Sequence, residues 1–409
     1  MLYYIDPGTG SMLFSVVIGI AATAYFSVRA LFLKLKVVFS SKEARKTKNL
    51  SRVPFIIYCE GRQYYNEFSE VVAEFERRGL PLVYYTGTEE DPVLKQPWSH
   101  VKAEYIGAGN KAYAKLNFLK ADVVMMTTPA LEVYQLKRSP DAKKYVHILH
   151  APSDATGYRL FGLDFFDAVL LTGDYQKKDI RYLEKKRALP AKDLVTVGCT
   201  YLDVLEKKRK GVDIGPHSFT VLVSPSWGAS ALLSRYGAKL LDPLMESGFD
   251  VIVRPHPQSS IVERPMLEKL QKRYEGRKNI RWDFESDNSV ALATTDIMIS
   301  DFSGIIFDYT FLYDKPVLYV SQDFDKRPYD AGDVEDEMWQ FDALRRFGIE
   351  LKEQDFPRIG AILRGASDSV ELREARHQAK AEAWMYQGQA AKRVVDYLVT
   401  LKARMQEER

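Results

Sequence analysis

The chain has 409 residues, enough for two domains of ordinary size, and its 46% hydrophobic and 28% charged content is that of a folded globular protein. A net charge of +3 argues against a general nucleic-acid binder, whose basic surface would show in the total. Two cysteines, Cys59 and Cys199, lie far apart, offer neither a disulfide framework nor a zinc site, and fit a reducing compartment.

The first forty residues depart from the globular pattern. No charge interrupts the apolar run from Met12 to Val28, and past Arg29 it continues through Ala30 to Leu33. At about 1.5 Å of rise per residue, Met12 to Leu33 can cross a bilayer core of roughly 30 Å. A cleaved signal peptide would begin with basic residues, whereas this stretch is preceded by Asp6 and no Lys or Arg. Lys34, Lys36, Lys42, Arg45, Lys46, Lys48 and Arg52 follow it, and by the positive-inside rule they place the remainder of the chain in the cytoplasm. Residues 1–39 thus read as a single-pass anchor in the cytoplasmic membrane and 40–51 as a basic tether. An interfacial or buried helix, which Arg29 permits, is the other reading.

From residue 52 strands alternate with helices. Strands are expected at Phe55–Tyr58, Leu82–Tyr85, Val123–Met126, Tyr145–Leu149, Ala168–Leu171 and Leu194–Val197, with helices over Tyr64–Arg78 and Lys111–Leu119. Such alternation makes a parallel sheet covered by helices. The charged stretch Glu206 to Lys210, followed by Gly211, Gly215 and Pro216, marks a boundary. Beyond it the pattern restarts, with strands at Phe219–Val223, Val251–Val253, Ile297–Ile299 and Val317–Val320. Helices are expected at Leu232–Glu246, Met266–Tyr274 and Ile305–Leu312, and a last one from Val370 to Arg404 closes the chain. The Asp-rich segment Asp323 to Asp336 reads as a surface loop over a cleft. The expected architecture is α/β: two Rossmann-like domains, 52–212 and 213–409, facing a cleft, behind an N-terminal membrane helix. No Gly-x-Gly-x-x-Gly follows the first strand and no Gly-Lys-Ser/Thr loop occurs, which argues against a dinucleotide dehydrogenase or a P-loop ATPase.

Chemistry concentrates at strand ends, where open α/β sheets bind ligands. Ser300-Asp301-Phe302-Ser303-Gly304 joins the strand Ile297–Ile299 to a helix, with Ser300, Asp301 or Ser303 as its expected cap. Free backbone N–H groups and the positive end of the helix dipole suit a phosphate there, and small side chains let it approach; a plain N-cap is the simpler reading. Arg254-Pro255-His256-Pro257 follows the preceding strand of the same domain. Arg254 is either a fixed cation for a diphosphate or a partner of Glu263 or Asp283. Ser224-Pro225-Ser226-Trp227-Gly228 follows the domain's first strand, and Trp227 either stacks on a base or plugs the domain interface. His150 ends the strand Tyr145–Leu149, so it and His256 occupy corresponding edges of two sheets, where imidazoles can take a hydroxyl proton or bind a phosphate. His147, inside its strand, reads as core. No Asp-x-Asp pair or His/Glu cluster suggests a metal site, and no cofactor is implied.

These motifs resemble the CDP-glycerol glycerophosphotransferases of teichoic-acid synthesis. Arg254–Pro257, Ser300–Gly304 with the following Ile-Ile-Phe-Asp-Tyr, and Asp314-Lys315-Pro316-Val317 match that family's signature in order and spacing. Ser224–Trp227 is similar to its Ala-Pro-Thr-Trp stretch, and His150 aligns with the histidine of its Trp-His-Gly motif. The likeness spans roughly residues 145 to 395. It implies a GT-B fold and transfer of glycerol phosphate from CDP-glycerol, or a related nucleotide donor, to a lipid-linked hydroxyl at the inner membrane face. It further implies His150 as base, His256 as phosphate contact, and Ser300, Asp301, Ser303 and Gly304 as diphosphate contacts. Leu149 and Ala151 stand where the family has Trp and Gly, and Gly304 where it has Ser. A GT-B glycosyltransferase or epimerase using a UDP-sugar, and a membrane-anchored scaffold with a dead site, are the rival readings.

Overall fold

The computed structural model describes residues 52–212, 214–285, 287–321, 324–366 and 369–407. The expected membrane helix and basic tether lie outside them, and among the described residues no helix is long and apolar enough to cross a membrane. The strands β1 (Val53–Cys59), β2 (Leu82–Thr86), β3 (Val101–Tyr105), β4 (Ala121–Met126), β5 (Ala142–Ile148), β6 (Ala168–Leu171) and β7 (Asp193–Thr196) form one parallel sheet in the order β3-β2-β1-β4-β5-β6-β7. A second parallel sheet contains β8 (Thr220–Val223), β9 (Asp250–Val253), β10 (Ile280–Trp282), β11 (Ile297–Ser300), β12 (Val317–Tyr319) and β13 (Ile349–Glu350), in the order β10-β9-β8-β11-β12-β13.

Both faces of each sheet are covered, which is why the central strands are continuously apolar. In β1, Phe55, Ile57 and Cys59 enter one core cluster, while Ile56 and Tyr58 enter the cluster on the opposite face. β11 does the same in the second lobe, with Ile297 and Ile299 on one side and Met298 on the other. Three strands escape the sequence reading: β3, β10 and β13. All three are edge or outer strands with at most one buried residue, β10 and β13 having none, so no apolar run announces them.

The helices that matter for the site are α1 (Tyr65–Arg77), α2 (Asn110–Leu116), α3 (Gln176–Lys186), α4 (Thr200–Arg209), α5 (Ala238–Glu246), α6 (Arg264–Arg273), α7 (Ile305–Tyr313), α8 (Trp339–Phe347), α9 (Ile359–Ala366), α10 (Val370–Ala383) and α11 (Ala390–Glu407). The helix expected over Leu232–Glu246 is broken: a single turn at Leu232–Arg235 precedes α5, and Gly237 takes the left-handed conformation between them (φ 43°). The charged stretch read as a boundary is the end of α4, which packs between α1 of the first lobe and α7 of the second.

The single closing helix is two helices, and the second leaves its lobe. After α10, Trp384 is buried and donates its indole N–H to Asp203 Oδ1 (2.8 Å), which also accepts from Gly388 N (2.7 Å), while Asp203 Oδ2 accepts from Ala390 N (3.0 Å). Tyr386 (φ 53°) and Gly388 (φ 74°) turn the chain here. α11 then crosses to the first sheet and buries Val394, Val395, Leu398 and Leu401 in the cluster built on Phe55, Phe68 and Val71. Each such side chain contributes roughly 1.5–3 kcal/mol on burial, which is ample to draw the helix back. The C-terminal helix assigned to 213–409 in the sequence therefore completes the first lobe in space.

From Phe324 on, the Asp-rich segment is a strap between lobes. Leu160 N donates to Pro328 O (3.3 Å), Asp330 N to Tyr158 O (2.9 Å), and Phe161 N to Asp330 Oδ1 (2.8 Å). Arg187 of the first lobe pairs with Asp164, Asp330 and Asp333, each at 2.7 Å. Asp154 of the first lobe caps α8, accepting from Trp339 N (2.8 Å) and Gln340 N (2.9 Å). Asp330 is buried, so this stretch is fastened rather than simply superficial.

Candidate active site

Each strand order reverses once, between β1 and β4 in the first sheet and between β8 and β11 in the second, and a crevice opens at the carboxyl ends of such strands. In the second lobe the residues flanking that crevice hold one another. Ser300 Oγ donates to Ser224 O (2.6 Å) and Ser224 Oγ to Arg254 O (3.2 Å), tying the ends of β11, β8 and β9 together. Asp301, 1% exposed, accepts from Ser226 N through Oδ1 and from Leu232 N through Oδ2, both at 2.9 Å. Burial raises its pKa, and those two backbone N–H groups oppose the rise. Ser224, Ser300 and Asp301 are thus occupied in holding the loops, not free at the surface as ligand contacts.

What the loops present is backbone. No side chain caps α7, contrary to the cap expected from Ser300, Asp301 or Ser303. Ser303 is half-buried and Gly304 exposed, and a Cβ on Gly304 would meet nothing within 4 Å. Ile306 N donates to Ser303 O (3.2 Å) and Phe307 N to Gly304 O (3.1 Å), so the amides that precede them, at Ser303, Gly304 and Ile305, are the ones this uncapped helix start could offer to an anion.

The β9 loop supplies a side-chain donor. Arg254 resolves toward its structural reading: it is buried, with Nη1 donating to Asp283 Oδ2 and Nη2 to Glu285 O, both at 2.6 Å, so it secures the loop after β10. His256 Nδ1 accepts from Gln258 N (3.1 Å), which places the neutral ring's proton on Nε2. Burial lowers its pKa against the opposing charges of Asp301 and Glu263. Trp227 stands 48% exposed beside it, with ring centroids 6.2 Å apart, and so does not plug a domain interface.

In the first lobe the reactive surface is side chain. Tyr158 Oη lies 3.1 Å from His150 Nδ1 and 3.0 Å from His147 Nε2, and the Tyr64 ring meets His150 edge-on at 5.6 Å. Burial lowers the pKa of His150 to about 4. His147, fully buried as expected, is pushed to about 3 by burial and by the neighbouring His150. Glu67 of α1 is buried, with Oε2 unpartnered, and desolvation chiefly raises its pKa to about 8, Asp308 of α7 adding to the rise. Asp308 itself, raised by burial to about 7, accepts from Tyr201 Oη (2.8 Å). Glu67 acts electrostatically on Tyr158, Asp308 on Glu67, and Asp308 accepts from Tyr201, so the surroundings of His150 are coupled to the first turn of α7.

Between the lobes lies a cavity of about 830 Å³, walled by Arg62 and Tyr65 from the first lobe, Tyr201 from α4, and Arg254, Phe284 and Tyr313 from the second. Phe284, 50% exposed, lies in the loop that Arg254 secures. The structure thus gathers Ser224, Trp227, Arg254, His256 and Ser300–Gly304 at one sheet edge and His150 at the other. No hydrogen bond or ring contact joins the two imidazoles. Among the described residues no group of three or more His, Cys, Asp or Glu side chains could hold a metal ion. Tyr158, Glu67, Tyr201 and Phe284 escaped the sequence reading. Glu67 sits in an ordinary amphipathic helix, and Phe284 follows a strand too short to recognise, so only Asp308, next to the Ser-Asp-Phe-Ser-Gly loop, lay within a motif.

Residues 213–400 match the profile of the CDP-Glycerol:Poly(glycerophosphate) glycerophosphotransferase family. A search of curated proteins finds no match. Among solved structures, the chain is similar to the wall teichoic acid polymerase TagF soaked with CDPG, at TM-score 0.55 and 14% identity, covering 93% of this chain and 99% of that one. It is also similar to a putative UDP-N-acetylglucosamine 2-epimerase from Listeria monocytogenes (TM-score 0.55, 15% identity, 87% and 98% covered). The S. aureus MnaA complex with UDP is a third likeness (TM-score 0.56, 15% identity, 85% and 97% covered). At such identities these likenesses concern the two-lobed, GT-B-like fold alone.

Proposed function

We propose that this chain, whose residues 213–400 match the CDP-Glycerol:Poly(glycerophosphate) glycerophosphotransferase family, is an enzyme of that type and moves glycerol phosphate from a CDP-linked donor to a hydroxyl of a lipid-linked acceptor. The observation that carries this reading is that the amino end of α7, which no side chain caps, and His256, whose ring feels the charge of Asp301 and keeps its proton on Nε2, belong to loops at the same sheet edge, which suits a diphosphate. The acceptor oxygen attacks the phosphorus bearing the glycerol, the bond from that phosphorus to the oxygen of the CMP phosphate breaks, and CMP leaves. The hydroxyl proton passes to His150, which burial keeps neutral and available at pH 7. His256 and the amides around Ser303 and Gly304 stabilise charge on the departing phosphate. Arg254 acts at one remove, fixing the loop that carries Phe284, and the cavity beside it has the volume and aromatic walls suited to the nucleoside. The apolar stretch Met12 to Leu33 with its following cations supports attachment to a membrane, where a lipid-linked acceptor resides.

The test is the identity of the nucleotide released when membranes containing the enzyme receive labelled CDP-glycerol, CDP-ribitol and UDP-sugars. CMP from CDP-glycerol with label in a lipid-linked product is the expected result. Release of a nucleoside diphosphate, or epimerisation of a UDP-sugar without net release, would replace this reading with the glycosyltransferase or epimerase one. Binding of nucleotide without turnover would point to a scaffold.

A further inference from the structure

Tyr158 has one hydroxyl proton and two imidazole nitrogens to satisfy: His147 Nε2 at 3.0 Å and His150 Nδ1 at 3.1 Å. One nitrogen must therefore donate to its oxygen while the other accepts its proton. If His147 Nε2–H donates, Tyr158 gives its proton to His150 Nδ1; neutral His150 then carries its own proton on Nε2 and has no lone pair left for a substrate. If His150 Nδ1–H donates, Tyr158 gives its proton to His147 Nε2, and His150 Nε2 is bare.

We propose that Tyr158, backed by His147, is a positioning residue that holds His150 in the Nδ1–H tautomer and so leaves its Nε2 lone pair free to take the acceptor's proton. This rests on the reading of His150 as the base. The second arrangement alone survives the reaction unchanged, because imidazolium His150 carries protons on both nitrogens and still needs an acceptor at Nδ1. In the first arrangement Tyr158 would have to reverse its hydroxyl before His150 could be protonated. The role parallels the carboxylate that orients the histidine of a Ser-His-Asp triad, with a neutral Tyr–His pair in its place. His147 suits it, since complete burial keeps its ring neutral and able to accept through Nε2. Its Nδ1 has no partner among the described residues, and leaving a buried donor unmatched there is the cost of this arrangement. The groups facing the trio are Tyr64 against His150 (5.6 Å), Phe166 against His147 (5.0 Å), and Glu67, which when ionised acts on Tyr158.

The strap joins this trio to the second lobe. Asp330 N donates to Tyr158 O, and Asp330 itself is held by Arg187, so the second lobe fixes the backbone of the residue that orients His150.

The experiment compares Tyr158→Phe, His150→Gln and their combination in the full-length membrane enzyme, reading kcat, the KM for CDP-glycerol and the pH profile of kcat. Tyr158→Phe is expected to lower kcat by about 10- to 100-fold with KM unchanged, to move the acid limb of the profile, and to add nothing in the His150→Gln background. Full activity with an unmoved profile in Tyr158→Phe, while His150→Gln is inactive, overturns the positioning role and leaves the base in place. Activity in His150→Gln removes the base and the proposal together. Should Tyr158→Phe fail to fold, nitrogen-15 NMR of histidine-labelled wild type reads the tautomer directly. Protonation of His150 at Nδ1 supports the assignment, and protonation at Nε2 overturns it.

Discussion

The two lobes repeat one architecture and use it in opposite ways. In the second lobe the crevice at the strand-order reversal is lined by side chains turned inward, with Ser224, Ser300 and Asp301 all holding loops, so that the surface on offer is the open start of α7. In the first lobe the corresponding edge offers imidazole and phenol in a chain of hydrogen bonds. An anion is well served by fixed amides, which need no particular side chain, whereas proton transfer needs a titratable group of definite tautomer. The difference teaches that residues of a conspicuous motif can matter by what they fasten rather than by what they touch.

Removing the fastening should break the second lobe first. Asp301→Ala strands two buried N–H groups and is expected to cost about 3 kcal/mol or more in denaturant unfolding, with donor binding lost at the same time. A variant of unchanged stability would mean the loops are held otherwise. His256→Ala removes the imidazole donor of the second lobe's sheet edge and should reduce kcat about a hundredfold with the fold intact, measured by CMP release.

The acid side sharpens the contrast between lobes. His147 and His150 are held neutral well below the usual histidine pKa of 6.5, so the unfolded chain binds protons that the folded chain refuses between pH 6.5 and about 4. Stability should therefore fall as pH falls through that window, and kcat/KM, needing neutral His150, should hold below pH 6.5 and decline only on approach to about 4. A limb centred at 6.5 would mean that the imidazole is solvated. Gly304→Ala should have the smallest effect, within about 0.5 kcal/mol in stability, because its φ of −60° suits any residue and the added methyl meets open space. A large loss would show that something closes over the helix start.

Legibility followed burial. The central strands β1, β4, β8 and β11 were readable because burial on both faces makes them apolar throughout, and the motifs at their ends were readable because strand ends are where loops turn. Edge strands such as β10, lacking a buried residue, left no such trace, and Phe284 went unseen with it. Arg254 was found with two roles left open, a diphosphate cation or a partner of Glu263 or Asp283, and the folded chain supplies the ion pair with Asp283.

The order of the central elements and the two histidine-bearing strand ends are local properties, written in runs of apolar residues and the breaks between them. Which oxygens are satisfied, which amides stay open, and where α11 packs depend on partners that the fold brings together, from Ser300 with Ser224, 76 residues apart, to Asp203 with Trp384, 181 apart. Asp203 turning the chain at Trp384, and Tyr158 bridging His147 and His150 beneath the strap, required the folded chain, because a hydrogen bond is decided by distance in space and not by spacing in sequence.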